Sequence, residues 1–257
     1  AVLYASGHGV RISKESGIIL LEDFGKGPNV LSGAVDIGNV HQAMALDDAA
    51  KNQFYFVDAC AIDNKLFRQY LRLDTGIKFD VVDGQSVESS PIFFGAAPGT
   101  VALGDPGEGT LFMQGLLQCL NCDAAVPDDV NNATEWNIHT QELFKRLRYR
   151  VNEIAQRQGD KQFVVLGGLS ADAFFHRLQG PPQVPLTVSV TPKNAESYAH
   201  YQLTHINSSN VVDDQKPFQT PRTTLVEPGV YKLEFTMQAG SCYSNGGKSP
   251  LIVYPPS

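Results

Sequence analysis

The sequence predicts an α/β domain built on a mostly parallel sheet, followed by a small all-β sandwich. Strand-like and helix-like segments alternate as far as residue 179, and the strand-like segments are continuous apolar runs. Such runs are typical of parallel strands that are covered on both faces. From 180 to 257 no helical period remains, and alternating segments are separated by turns rich in Pro, Gly, Asn and Asp. The predicted domains are therefore 1–179 and 180–257.

Each element of the first domain follows from its local pattern. The predicted strands are 1–6, 53–59, 90–96 and 162–166, with a hairpin at 11–24 around Ser16-Gly17. The predicted helices are 39–51, 62–71, 109–120 and 137–157. The last helix is the longest, because Leu143, Leu147 and Val151 recur at steps of four, and Asn137 or Thr140 is its candidate N-cap.

The second domain is predicted to be a sandwich of immunoglobulin-like type. Its predicted strands are 186–190, 198–204, 223–226, 230–236 and 251–254.

Composition and charge exclude several classes of function. The 257 residues are 42% hydrophobic and 18% charged, which is enough apolar material for a core. The net charge is −7 with no basic run, so nucleic acid is not an expected partner. No apolar stretch approaches the roughly 20 residues that cross a bilayer, so no membrane partner is expected. Four cysteines are too few for a disulfide scaffold and favour a reducing, cytoplasmic location.

A histidine and a cysteine follow two of the predicted strands. His8 comes after the first strand and Cys60 after the second, and the ends of parallel strands meet at one edge of a sheet. A Cys–His pair is the minimum for nucleophilic thiol catalysis. The backbone amides of Gly9 and Cys60 are the candidate oxyanion hole. Taken singly, a buried Cys or a His in a Gly turn is more often structural.

These segments resemble the caspase-like cysteine peptidases, including the metacaspases. The likeness lies in three stretches that come in the family's order: Tyr4-Ala-Ser-Gly-His-Gly9, Phe54-Tyr-Phe-Val-Asp-Ala-Cys60, and Phe94-Gly-Ala-Ala-Pro-Gly99 with the helix that follows it. His8 precedes Cys60 by roughly 50 residues, as in caspases. The resemblance covers about 1–178 and implies a caspase-like three-layer sandwich. It also implies that His8 is the general base and Cys60 the nucleophile.

The same resemblance implies cleavage after Arg or Lys. In the family the position two before the Cys lines the pocket for the residue preceding the scissile bond, and here it is Asp58, as in metacaspase-like members. True caspases carry an Arg a few residues beyond the Ala-Pro-Gly loop. In this sequence that position falls near Gly104, which is followed by Asp105, and no Arg stands there. Asp58, Ala97 and Asp105 are thus the predicted substrate contacts, because a carboxylate selects a guanidinium or ammonium group. The alternative for Asp58 is a carboxylate that binds backbone amides of the Cys60 loop.

Three functions remain open at this point. The first is a cysteine endopeptidase that cleaves protein substrates after Arg or Lys in a regulatory, cell-death or defence pathway. The others are a catalytically silent scaffold or recognition module, and a thiol hydrolase with a non-peptide substrate. No cofactor is predicted, because Cys119 and Cys122 lack further zinc ligands. Calcium activation occurs in some metacaspases, but the acidic doublets here lack the spacing of a calcium loop and are expected to be solvated surface.

The resemblance also leaves the sheet incomplete. A caspase-like domain has two strands and a helix before the strand that ends in the His, whereas here Ala1 stands at that strand. The missing N-terminal strands are expected to come from a preceding segment of the same protein or from a partner chain, since an apolar edge would otherwise be exposed.

Overall fold

A computed structural model of the chain describes residues 1–11, 17–26, 32–45, 49–61, 87–105, 107–129, 134–169, 171–217, 222–239, 241–243, 247–253 and 255. The helix predicted at 62–71 and the turn of the hairpin predicted around Ser16 lie outside these residues. The chain divides into two compact units. The first comprises 1–126 with 137–177, and the second comprises 127–136 with 178–257.

The first unit is built on a six-stranded sheet whose centre is parallel. The strands up to residue 177 are β1 (Val2–Arg11), β2 (Gly17–Leu20), β3 (Ala34–Asp36), β4 (Phe54–Ala59), β5 (Ser90–Phe94), β6 (Gly104–Asp105), β7 (Gly109–Thr110), β8 (Val126–Pro127), β9 (Trp136–His139), β10 (Val165–Leu169) and β11 (Phe174–Arg177). The order in the large sheet is β10-β5-β4-β1-β2-β3. β1, β4 and β5 run parallel, while β2, β3 and β10 are antiparallel to their neighbours. The predicted mostly parallel α/β fold is confirmed.

Apolar side chains cover both faces of this sheet. One face carries a buried cluster that includes Tyr55, Val57 and Ile92. Side chains alternate between faces along a strand, so Phe56 lies on the opposite face, where its ring stacks on that of Phe93 with a centroid distance of 5.0 Å. β4 is buried along its whole length, which explains its continuous apolar sequence.

Within the part of the chain that the structure describes, three α-helices accompany the sheet: α1 (Ile37–Ala43), α2 (Leu111–Gln118) and α3 (Thr140–Arg157). A π-helical turn, Cys119–Asp123, continues α2. α2 and α3 pack closely, because a Cβ atom on Gly115 would lie 2.8 Å from a methyl carbon of Val151. The N-cap of α3 is His139, so neither Asn137 nor Thr140, the two predicted candidates, is the cap. The Gln141 N–H in the first turn donates to Asp172 Oδ1 at 3.1 Å.

The second unit consists mainly of antiparallel β-structure, with one 3-10 helical segment at Lys193–Tyr198 among its described residues. Its strands are β12 (Val184–Val188), β13 (Ala199–His205), β14 (Val211–Gln215), β15 (Arg222–Val226), β16 (Gly229–Met237) and β17 (Lys248–Val253). They form a four-stranded sheet of order β14-β13-β16-β17 and a two-stranded sheet of β12 and β15. β14 is a strand that the sequence did not predict. Within the described residues, no helix is long and apolar enough to span a membrane.

Candidate active site

His8 and Cys60 come directly after the last parallel pair of two neighbouring strands, Gly7 opposite Ala59. Cys60 follows β4 as predicted, whereas His8 lies within β1, because this strand continues to Arg11 and does not end at residue 6 as predicted. In the register of β1 and β4, Ser6 lies opposite Asp58 and Gly7 opposite Ala59. The residue after Gly7 is His8, and the residue after Ala59 is Cys60. From His8 onward β1 pairs with β2 instead. His8 is exposed and Cys60 is half-buried, so the two residues that follow the last parallel pair are both accessible from the surface.

Glycines on both sides of His8 permit this arrangement. A Cβ atom on Gly9 would lie 2.6 Å from the Ala59 Cβ and 3.0 Å from the Cys60 carbonyl oxygen, so only glycine fits there without displacement. Gly7 has φ +151°, which side-chain-bearing residues rarely adopt. The predicted oxyanion residues, Gly9 and Cys60, are therefore in close backbone contact.

The loop after β5 packs against the Cys60 segment. Ala61 N–H donates to Thr100 O at 2.9 Å, and Gly99 N–H donates to Ala61 O at 2.7 Å. Ala97, a predicted substrate contact, closes the turn of this loop by accepting from Thr100 N–H and Oγ1 at 3.0 and 2.7 Å. Further along the loop, the Ala102 N–H donates to Cys60 Sγ at 3.4 Å. The loop therefore lies directly beside the thiol.

Asp58 is almost fully buried, with 1% of its surface exposed. Its Oδ2 accepts hydrogen bonds from the hydroxyls of Tyr4, at 2.6 Å, and Thr110. Its Oδ1 has no partner among the described residues and faces Gly95. Desolvation by burial raises the pKa of Asp58, and the two hydroxyl donors partly oppose that increase. Within the described part of the chain its partners are hydroxyls, whereas the alternative interpretation required backbone amides.

Asp105 has a different environment from Asp58. Both of its carboxylate oxygens accept from Gln158 Nε2 at 2.8 Å, and Oδ2 also accepts from Gln114 Nε2 at 3.4 Å. These contacts tie Asp105 to α2 and to the C-terminal end of α3. The structure therefore brings Ala97 beside the Cys60 segment and binds Asp105 to the helices.

Among the described residues, the other cysteines are not part of a metal site. Cys119 and Cys122 are buried and free, and burial raises the pKa of both thiols, that of Cys122 to about 11. Among the residues that the structure describes, no group of three or more His, Cys, Asp or Glu side chains is arranged to hold a metal ion. Asp123 beside them forms an ion pair with Arg150 at 2.5 Å.

Three residues at the site were not singled out from the sequence. Tyr4 and Thr110 bind Asp58, and the fully buried Gln162 bonds to the loop that carries Ala102. Tyr4 and Gln162 each fall within a segment predicted as a strand, where a polar group stands among apolar neighbours. That contrast was the one available signal for them.

Comparison with known proteins assigns most of the chain to one family. The family described as Caspase domain matches residues 1–189. The match covers the described part of the first unit and extends through β12 of the second. No curated protein matches the chain.

Proposed function

The chain belongs to the caspase-domain family of cysteine peptidases, and from this membership we propose that it is an endopeptidase in which Cys60 is the nucleophile and His8 the general base. The observation that carries the proposal is the register of β1 and β4, whose last pair, Gly7 and Ala59, directly precedes His8 and Cys60. The proposed substrates are proteins, as expected for a peptidase.

The proposed reaction uses groups of the protein alone. His8 accepts the thiol proton while Sγ of Cys60 attacks the scissile carbonyl carbon, and the N–H groups of Gly9 and Cys60 stabilise the oxyanion. The C–N bond then breaks, and His8 gives its proton to the leaving amine. Water, deprotonated by His8, hydrolyses the thioester and frees Cys60. No cofactor is part of this proposal, and calcium has no role in it.

The first test removes each member of the dyad. We expect Cys60→Ala to lower peptide cleavage by more than roughly 1000-fold, and His8→Ala by roughly 100- to 10,000-fold, because the nucleophile and its base are lost. The measurement is kcat/KM on fluorogenic peptides, with Cys242→Ala, an exposed thiol remote in sequence, as the control.

Other outcomes separate the alternatives. Full activity in Cys60→Ala would overturn the peptidase proposal. A Cys60 that is alkylated rapidly in a chain that cleaves no peptide would favour the thiol hydrolase, and an unreactive Cys60 would favour the silent scaffold.

We further propose that the enzyme cleaves after Arg or Lys, and that Asp58 selects these side chains. Support comes from the unpartnered Oδ1, because a buried carboxylate oxygen without a donor is costly and a guanidinium or ammonium group supplies donors and charge together. With 1% of its surface exposed, Asp58 is reached only after its neighbours move. Ala97 and Asp105 are the further substrate contacts in this proposal.

A panel of peptides with Arg, Lys, Asp or norleucine before the scissile bond tests this specificity. We expect preference for Arg and Lys, and a loss of roughly 100-fold in kcat/KM for the Arg peptide in Asp58→Asn, because truncating one partner of a buried charged pair is costly. Asp105→Asn is the matched comparison and is expected to change the Arg preference less, since Gln158 and Gln114 already bind that carboxylate. Preference for Asp, or a larger effect of Asp105→Asn, would contradict the role of Asp58.

The pathway, the location and the completion of the sheet are also proposals. We place the enzyme in a regulatory, cell-death or defence pathway in the cytoplasm, where a catalytic thiol stays reduced. Residues 2–7 of β1 pair with β4 on one side, and β2 pairs with β1 only from His8. Val2 is 62% exposed at this edge. An additional strand, from the same protein or a partner chain, would cover it.

A further inference from the structure

Gln162 is a fully buried carboxamide whose two ends are both hydrogen-bonded. None of its surface is exposed. Its Oε1 accepts from the Leu103 N–H at 2.8 Å, and its Nε2 donates to the Gly95 carbonyl oxygen at 2.7 Å. The two partners fix the orientation of the amide, because a backbone N–H needs an acceptor and a carbonyl oxygen needs a donor. Gln162 thus bridges two backbone positions that lie eight residues apart.

The two bridged positions bracket the loop that lies against Cys60. Gly95 directly follows β5, and its N–H donates to Val57 O of β4 at 2.8 Å, so it is fixed to the sheet. Leu103 precedes β6, and its carbonyl oxygen accepts from Leu111 N–H at the start of α2 at 3.0 Å. The carboxamide of Gln162 therefore fixes the far end of the loop relative to the strand from which the loop starts.

The residue next to Leu103 is the one whose N–H reaches the nucleophile. Ala102 N–H donates to Cys60 Sγ at 3.4 Å. A hydrogen bond from an N–H group stabilises a charged acceptor more than a neutral one, and the reactive form of a cysteine is the thiolate. At 3.4 Å the Ala102 N–H stabilises negative charge on Sγ as the thiol reacts, whereas the Ala102 carbonyl oxygen, 4.0 Å from Sγ, accepts only from the neutral thiol.

We propose that Gln162 is a positioning residue for Cys60, which by bridging Gly95 and Leu103 holds the Ala102 N–H on Sγ and so increases the reactivity of the thiol. This inference rests on the proposed role of Cys60 as nucleophile. It assigns a function in the site to a side chain that touches neither the dyad nor the substrate.

The test measures alkylation of Cys60 by iodoacetamide in the full chain, followed by mass spectrometry of the modified peptides. Gln162→Met keeps the length of the side chain and removes both hydrogen bonds. We expect it to slow alkylation of Cys60 roughly tenfold, the equivalent of one hydrogen bond to a charged group. Gln156→Met makes the same chemical change on the exposed surface of α3 and is expected to leave the rate unchanged. The exposed Cys242 is the internal reference in each sample.

Gln162→Glu separates bridging from a general effect on folding. A neutral carboxyl accepts from the Leu103 N–H and donates its O–H to the Gly95 oxygen, whereas the ionised form has no donor for that oxygen. Burial favours the neutral form. The alkylation rate of Gln162→Glu divided by that of the native chain is therefore expected to be near one at low pH and to fall as pH rises. The same ratio for Gln162→Met is expected to stay low and flat.

Each outcome decides the inference. Alkylation of Cys60 in Gln162→Met at the native rate would overturn the inference, because the loop would then have no effect on the reactivity of the thiol. A faster rate would also overturn it, because the loop would then shield the thiol from the reagent. A pH-independent ratio for Gln162→Glu would also overturn it, and this variant decides the matter where Gln162→Met does not fold. Alkylation of Cys60 needs no peptide cleavage. If the alkylation rates are as predicted but the chain cleaves no peptide, the proposed peptidase function fails and the inference about Gln162 stands.

Discussion

Asp58 combines a proposed role in substrate selection with a cost in the stability of the folded protein. It is buried, its Oδ1 has no partner among the described residues, and desolvation raises its pKa. A carboxyl group whose pKa is higher in the folded than in the unfolded protein binds its proton more tightly when folded. The folded state is therefore penalised once pH rises above the pKa that the group has in the unfolded chain, and the penalty is complete above the folded pKa.

Asp58→Asn is accordingly expected to stabilise the protein at pH 8 and to have a smaller effect at pH 5. An asparagine still accepts from the hydroxyls of Tyr4 and Thr110 through its amide oxygen, but it carries no charge to desolvate. The expected gain at pH 8 is about 1–3 kcal/mol in the free energy of unfolding. Urea unfolding at the two pH values measures it. An equal effect at both would show that ionisation of Asp58 does not limit stability.

The residues of the site were predictable from the sequence to different degrees. His8 and Cys60 follow apolar runs, so their meeting at one sheet edge follows from the fold class, and β1 and β4 are indeed neighbours. Tyr4, Thr110 and Gln162 act through partners 40 or more residues away, and no local pattern records such pairs. The catalytic roles of His8 and Cys60 stay predictions until their variants are measured.

At the scale of elements, periodicity identified most strands and helices but misplaced those whose ends are set by side-chain contacts. The strand predicted from Gln162 begins only at Val165, and Gln162 lies before it with its side chain bonded to Gly95 and Leu103. It pairs antiparallel with β5. The helix predicted at 39–51 is α1, Ile37–Ala43, whose N-cap is Asp36, with Oδ1 accepting from the N–H groups of Gly38 and Asn39. Short-range patterns therefore give the type of an element better than its ends.

β14 shows why one strand was missed. Its sequence, Val-Val-Asp-Asp-Gln, contains an acidic doublet, which was expected to be solvated surface. Asp213 is instead buried, and its carboxylate accepts from Arg222 Nε at 2.7 Å and Nη2 at 3.0 Å. Its neighbour Asp214 points to the other side, where it accepts from His200 at 2.7 Å. Burial of a charge depends on a partner from another strand, which composition does not reveal.

At the scale of the whole molecule, each unit has its own source of stability. The first has the apolar cluster on β4 and the packing of α2 on α3, in which Leu147 is fully buried. The second has Asp213 on β14, which accepts hydrogen bonds from Arg222 and Thr224 on β15 of the smaller sheet and from Tyr201 on β13. Hydrogen bonds from these groups hold the pKa of Asp213 below its usual range although burial opposes them.

This contrast predicts unit-specific effects of two variants. Asp213→Asn is expected to destabilise the second unit by about 2 kcal/mol at pH 7, because a carboxylate that receives charged hydrogen bonds is replaced by an amide. Because the pKa of Asp213 is lower in the folded than in the unfolded protein, its carboxylate stabilises the folded state at pH values above the unfolded pKa. This stabilisation is lost as pH falls through the folded pKa, so the difference in unfolding free energy between Asp213→Asn and the native chain should shrink in acid. Hydrogen exchange should quicken in β13–β16, whereas Leu147→Ala should quicken it in α2, α3 and β5. If Asp213→Asn quickened exchange equally in β4 and β5, the carboxylate would support the whole chain and not the second unit alone.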